Sequence, residues 1–215
     1  MLTVGEAIRS RRSTRSFEPK PVPDDMIMEM LEAARLAPSA SNSQPWRYVV
    51  VTDPEEKMEL RRLSFGQAFI EEAGVVFVVC ADLSSYSRET YRRRRQEAVD
   101  AGVLPASSLN DPLFRGRVDS TEAEDLSVHI TSATANSYIA TEHIVLMAAA
   151  LGLGSCWVGA ISDREAIKRL LGIPDEVVLL GLVAVGYARG TPPFRPKLPL
   201  ASILLRPFPP QPGPG

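Results

Sequence analysis

Three guanidinium groups and two hydroxyls fall within five residues, Arg11-Arg12-Ser13-Thr14-Arg15, in a chain whose formal charge is −2. Such a cluster repels itself unless an anion sits inside it. Arginine forks bind phosphate oxygens bidentately and hydroxyls add donors, so a phosphomonoester is a natural guest. Taken alone, the motif reads equally well as a solvated helix end with surface ion pairs. A second segment, Pro38-Ser39-Ala40-Ser41-Asn42-Ser43-Gln44-Pro45-Trp46, places many amide and hydroxyl groups between two rigid prolines. A loop this polar and this stiff can present donors and acceptors to the edge of a planar heterocycle. Any single Ser or Asn in it also suits an ordinary surface turn.

Both segments need elements to hold them. Thr3-x-x-Glu6 has the form of a capping box and Val4, Ala7, Ile8 and Arg11 follow at helical spacing, so a first helix is expected to end near Arg11. Pro23 opens a second helix striped by Ile27, Met30, Leu31 and Ala34, and Pro38 stops it ahead of the serine-rich loop. Residues 48–52 read as a buried strand and Asp53-Pro54 as the cap of a short helix. Residues 75–80 form a second strand, apolar throughout, which implies cover on both faces. Residues 134–151 give a long apolar helix closed by Gly152 and Gly154. A short strand at 155–159, a second capping box at Ser162-x-x-Glu165 leading to Leu171-Gly172, and a long strand at 177–187 complete the pattern.

Helices and strands alternate without regular βαβ spacing, so the expected fold is one α+β domain over residues 1–215, a mixed and mainly antiparallel sheet flanked by helices. Residues 84–126 mix Arg88, Arg92, Arg93, Arg94 and Arg95 with Gly, Pro, Ser and Asp; they read as an insertion or lid and not as core. Residues 191–215 form a C-terminal arm and proline-rich tail, whose one apolar run, 202–205, needs something to pack against. Strand addition at the sheet edge of a second subunit supplies it, so the expected state is a homodimer with exchanged arms.

The balance of 24 basic and 26 acidic residues provides no overall field for nucleic acid or an anionic membrane. Glu89, Glu97 and Asp100 offset the arginine run, which reads as a solvated helix. The apolar stretches are too short for a bilayer span and the first twelve residues carry charges, so a cytoplasmic protein is expected. Cys80 and Cys156 lie in apolar surroundings without CxxC spacing and read as reduced core thiols. His129 and His143 have no partner at ligand spacing, and no metal is expected.

Together, the arginine turn and the serine-rich loop resemble the nitroreductase family of flavoproteins, and Leu151-Gly152-Leu153-Gly154-Ser155-Cys156-Trp157-Val158-Gly159 looks like its third signature. The resemblance runs from about Val4 to Leu200, with 84–126 unmatched. It implies FMN as cofactor, with Arg11, Arg12, Ser13 and Arg15 on the phosphate and ribityl end, and Ser39, Asn42 and Gln44 facing the ring. It also implies Trp157, Val158 and Gly159 beside flavin N5, and either Arg195 or Lys197 on the phosphate. Two departures stand out: Glu142-His143 where Gln-Asn is frequent, and Gly159-Ala160 where some members carry an acidic residue.

The implied activity is hydride transfer from NADH or NADPH through flavin N5 to a small electrophile such as a nitroaromatic or quinone, by ping-pong kinetics and without a protein nucleophile. A flavin-binding protein engaged in dehalogenation, flavin fragmentation or flavin storage is the alternative. Gly152-x-Gly154 followed by Gly159 does not match the spacing of a dinucleotide fingerprint, so these glycines read as cap and turn positions.

Overall fold

Every residue of strand β2 (Val75–Asp82) except the last is buried, and side chains alternate between two separate cores. The structure, a computed structural model, describes residues 2–112 and 126–206. Strands β1 (Trp46–Val51), β3 (Gly154–Val158) and β4 (Val177–Gly186) join β2 in a sheet of order β1-β2-β4-β3, with every pairing antiparallel. The parallel element expected of a mixed sheet is a single bridge outside the strands, Ser13 to Ser155.

Helices cover both faces. On one, Val75, Phe77 and Val79 pack with Met30 and Ala34 of α2 (Asp24–Arg35) and Ile144 and Ala148 of the long helix α6 (Leu126–Ala150). On the other, Val76, Val78 and Cys80 meet Leu60 of α3 (Pro54–Arg62), Ile70 of α4 (Phe69–Glu72) and Ile167 of α7 (Arg164–Leu171). Helix α1 (Val4–Ser10) lies against α6. The continuous apolar run of β2 is what burial on both sides requires.

Local signals placed the helix ends. Thr3 and Glu6 form the reciprocal capping box of α1, and Asp53 accepts from the Glu55 and Glu56 amides to cap α3. At α7 the expected box is displaced by one residue: Asp163, not Ser162, accepts from the Ala166 amide at 2.8 Å. Ser162 is already occupied, since both its amide and its hydroxyl donate to the Leu63 carbonyl. Helix α6 starts eight residues before the expected Thr134, through a stretch whose His, Thr and Ser residues break the apolar period. Of the two glycines expected to close it, Gly152 does adopt a left-handed turn (φ 78°). Gly154 instead opens β3, where the side chain of Thr14 fills the space a Cβ would need.

Two further expectations change. The segment beginning at residue 84 forms a regular helix, α5 (Arg88–Asp100), and contributes Tyr86 and Tyr91 to the core, so its opening part is not peripheral. Arg93 and Arg94 pair with Glu97 on its surface, as a solvated helix would. The part of the lid expectation covering residues 113–125 lies outside the described residues, as do residues 207–215 of the tail. The apolar run at 202–205 forms no strand: residues Leu200–Ile203 make a 3-10 turn, with Leu198, Leu200, Ile203 and Leu205 exposed.

Two outcomes test this packing. Gly154→Ala would drive a methyl to 2.5 Å from Thr14 Oγ1 and 2.9 Å from its Cβ, and should cost about 1–3 kcal/mol in chemical denaturation; an unchanged midpoint would refute the close approach. Both cysteines are free and buried, and burial pushes the Cys80 thiol up to about 12 from an ordinary 9.0. Because the folded thiol titrates above the unfolded one, its contribution to stability is intact below about pH 9 and is lost as the pH rises towards 12. At pH 8 the native protein should therefore leave both thiols unreacted with a chromogenic disulfide reagent, and release of both only in denaturant is the expected result.

Candidate active site

The arginine turn is fastened to the edge of the sheet. The Thr14 amide donates to the Ser155 carbonyl at 2.9 Å, and the Thr14 side chain is buried over Gly154. Further along, Phe17 bridges Ala188, its amide reaches Glu72 and its carbonyl accepts from Arg189. Held this way, Arg11, Arg12 and Ser13 line a cleft of about 70 Å³ with Pro193, Phe194, Arg195 and Lys197. Residues about 180 positions apart in sequence thus converge, and both late basic candidates are present. Arg15 shares the neighbourhood: the charges of Arg15, Arg11 and Arg195 all act on Cys156 in β3, opposing the burial that raises its thiol.

Arg12 differs from its neighbours. Its Nη1 donates to the Arg9 and Arg11 carbonyls at 2.6 and 2.8 Å, and its guanidinium carbon lies 4.9 Å from the centre of the Phe194 ring. This side chain caps the C-terminus of α1 and holds the arm. Arg11, Arg15, Arg195 and Lys197 are the further cations at this edge.

The third predicted segment lies on the same strand. Trp157 donates its indole N–H to Glu142 of α6 at 3.3 Å and packs edge-on against Tyr138 at 5.2 Å. Val158 is buried, whereas Gly159 is exposed with no atom within 4 Å of where a Cβ would stand. A flat ligand can therefore approach the backbone there closely. Arg164 donates to the Gly159 carbonyl, and Gln67 reaches the Ala160 carbonyl at 3.2 Å from a turn where Phe65 is exposed at φ 56°. Nothing in local spacing marked Gln67 as a neighbour of Ala160.

The serine-rich loop is elsewhere. It enters β1 at Trp46, which pairs with Ala81, whereas the arginine turn meets β3 at Ser155, which pairs with Val185 opposite Val75. The two points are at opposite edges and opposite ends of the sheet, about 20 Å apart along the strands and about 14 Å across, so roughly 25 Å in all. One chain does not bring Ser39, Asn42 and Gln44 to Arg11, Ser13 and Arg15. Within one chain the two segments stand apart, and strand order, which no local motif encodes, is the reason.

The loop is nonetheless built to hold an uncommon shape. Ser41, Asn42 and Gln44 have φ of 54°, 53° and 48°, left-handed values that are costly for residues other than glycine. The Ser39 hydroxyl accepts from the Gln44 amide at 3.0 Å, and the Gln44 carbonyl accepts from Arg47, which is itself paired with Asp82 at 2.7 Å. Asn136 Oδ1 accepts from the Ala40 amide at 3.1 Å. Strain concentrated in a polar, exposed loop is a mark of a binding segment. Among the described residues, no cluster of His, Cys, Asp and Glu could hold a metal ion, and no helix is long and apolar enough to cross a membrane.

The sequence pattern of the Nitroreductase family matches residues 8–187. A protein named NADH dehydrogenase from Thermus thermophilus is 37% identical over 95% of this chain and 96% of its own length. An FMN reductase (NADPH) from Bacillus subtilis is 28% identical over 92% of this chain and 71% of its own. A crystal structure described as a nitroreductase in complex with FMN, from Exiguobacterium sibiricum, superposes with a TM-score of 0.82 at 25% identity, covering 95% of this chain and 97% of the other.

The loop's strain separates two substitutions. Ser39→Ala removes the acceptor of the Gln44 amide and should cost about 1 kcal/mol. Asn42→Gly places a residue tolerant of φ 53° and should leave stability unchanged or raise it by up to about 1 kcal/mol. Chemical denaturation of both variants checks this, and a loss at Asn42→Gly larger than that at Ser39→Ala would show that the loop is not strained as described.

Proposed function

The chain belongs to the nitroreductase family, and from that premise we propose that it is an FMN-dependent oxidoreductase that uses NADH or NADPH to reduce a small electrophilic acceptor such as a nitroaromatic or quinone. The observation that carries this reading is the convergence of Arg11, Ser13, Arg195 and Lys197 in one cleft at the β3 edge. The residues fit the cofactor. Cationic forks with a hydroxyl among them match a phosphate dianion, and the open backbone at Gly159 admits a planar ring. When bound, FMN supplies hydride exchange at N5 between the nicotinamide and the acceptor.

The protein's own part is positioning and charge. Arg11, Arg15 and Ser13, with Arg195 or Lys197, would hold the phosphate and ribityl end. Trp157 is fixed by Glu142 and Tyr138 and would set the wall beside the ring, with Val158 and Gly159 presenting backbone at N5. Arg12 acts on the helix end and the arm. Ser39, Asn42 and Gln44 would face the ring from a second subunit, since the roughly 25 Å separation within one chain calls for another copy to bring them near.

Unpaired apolar surface supports that assembly: Val4 and Ile8 on α1, Tyr138 and Ile139 on α6, and Leu198, Leu200, Ile203 and Leu205 in the arm are exposed. In this homodimer the arm covers the partner by side-chain packing, in place of a paired strand. Buried, protonated thiols fit a reducing compartment such as the cytoplasm.

The absorption spectrum of the purified protein tests the reading. It should be yellow, with flavin bands that bleach on adding NADH or NADPH, and should sediment as a dimer; a colourless protein that refuses FMN overturns it. Arg11→Ala and Arg195→Ala should each weaken FMN binding by about 1.5–3 kcal/mol, the range for losing a charged hydrogen-bond partner. Arg12→Ala should cost less, and a larger loss there would reverse the division of roles.

A further inference from the structure

Three buried polar side chains meet behind the serine-rich loop, and two of them, Tyr86 and Asn136, lie outside the segments assigned to the ligand above. Tyr86, just ahead of α5, is only 3% exposed; Asn136 in α6 is 7% exposed and Ser43 in the loop 2%. Asn136 Nδ2 donates to the Tyr86 hydroxyl at 2.7 Å and to the Ser132 carbonyl at 2.9 Å, while its Oδ1 accepts from the Ala40 amide. The Ser43 hydroxyl donates to the Tyr86 hydroxyl at 3.3 Å. The loop is thus gripped on both sides of Ser41 and Asn42, at Ala40 and at Ser43, by one buried network anchored in two helical segments.

This arrangement has a physical purpose. Three departures into the left-handed region within four residues, at Ser41, Asn42 and Gln44, persist only where surrounding bonds over-determine the backbone. Turn chemistry alone leaves Ser41 and Asn42 free to relax, because their own side chains fasten nothing else in the loop. The bonds that fix its height and tilt come from Asn136 and Tyr86, and both are shielded from water, where a lost partner is felt most.

We propose that Asn136 and Tyr86 are positioning residues for the flavin-facing loop: they preset the loop in its bound shape before the ligand arrives, so that binding does not have to order it. The assignment rests on the reading that residues 39–44 face FMN. Through Tyr86, which also stacks on His129 at 5.8 Å and meets Tyr91 edge-on, the loop is joined to α5 and to the first turns of α6. The segment entered at residue 84 therefore supports the site from behind.

The experiment uses the full-length chain stripped of FMN. Affinity is read from quenching of FMN fluorescence, and loop order from amide hydrogen exchange of residues 40–44. Asn136→Ala, which removes all three of its hydrogen bonds, and Tyr86→Phe, which removes the acceptor shared by Asn136 and Ser43, should each raise the FMN dissociation constant at least about tenfold. They should also speed exchange across the loop while β2 stays protected. Asn136→Asp keeps the acceptor for the Ala40 amide but loses the donor to Tyr86 and Ser132, and should recover only part of both losses. If Asn136→Ala fails to fold, Tyr86→Phe, which keeps the buried ring, carries the test. Unchanged exchange over residues 40–44, or faster exchange with unaltered FMN affinity, overturns the proposal. Failure of the unmodified protein to bind FMN sinks the flavin reading itself, and the exchange measurement then still decides whether the network orders the loop.

Discussion

A single backbone contact decides where the charges of this protein can act. The Thr14 amide bonded to the Ser155 carbonyl, with the Thr14 side chain seated over Gly154, converts a repelling run of arginines into an addition at the edge of a rigid sheet. Without that attachment the turn would be a free helix end, and the arm residues Arg195 and Lys197 would not share a cleft with it. The packing is close because β3 begins with a residue that has no side chain. The candidate binding edge is thus a product of backbone proximity first and of charge second.

The second half of the candidate site obeys a different constraint. Its loop is held in left-handed geometry by buried partners drawn from α6 and from the turn before α5, and it lies at the far corner of the sheet. Rigid presentation at a distance makes sense for a surface that meets its ligand across a subunit boundary. Polar groups ordered beforehand avoid the loss of freedom that binding would otherwise impose. The exposed apolar residues of α1, α6 and the arm are the surface on which such a boundary would form.

What was legible in the sequence was local. Caps at Thr3 and Asp53, the proline before α2, the unbroken apolar run of β2 and the left-handed close at Gly172 could be located because each depends on residues a few positions apart. Ser162 was misjudged by one position because its hydroxyl and amide were claimed by Leu63, ninety-nine residues earlier. The early turns of α6 carry polar residues that serve the interior, so their helical period was hidden. The motifs for the arginine turn and the β3 segment located real neighbours. Where that turn stands relative to the serine-rich loop depends on the order β1-β2-β4-β3, which no local motif encodes. Asn136 and Tyr86 carried no motif at all; only the folded arrangement shows that they meet.

The Arg12 guanidinium over the Phe194 ring links the end of the first helix to the chain's last described stretch. The two are thereby ordered as one unit, and thermodynamic linkage follows. An anion that steadies the helix end lowers the entropic cost of docking the arm, and a surface that captures the arm raises the fraction of molecules ready for the anion, by the same factor in each direction. In the proposed dimer, occupancy and assembly would rise together with concentration, and dilution would loosen both at once.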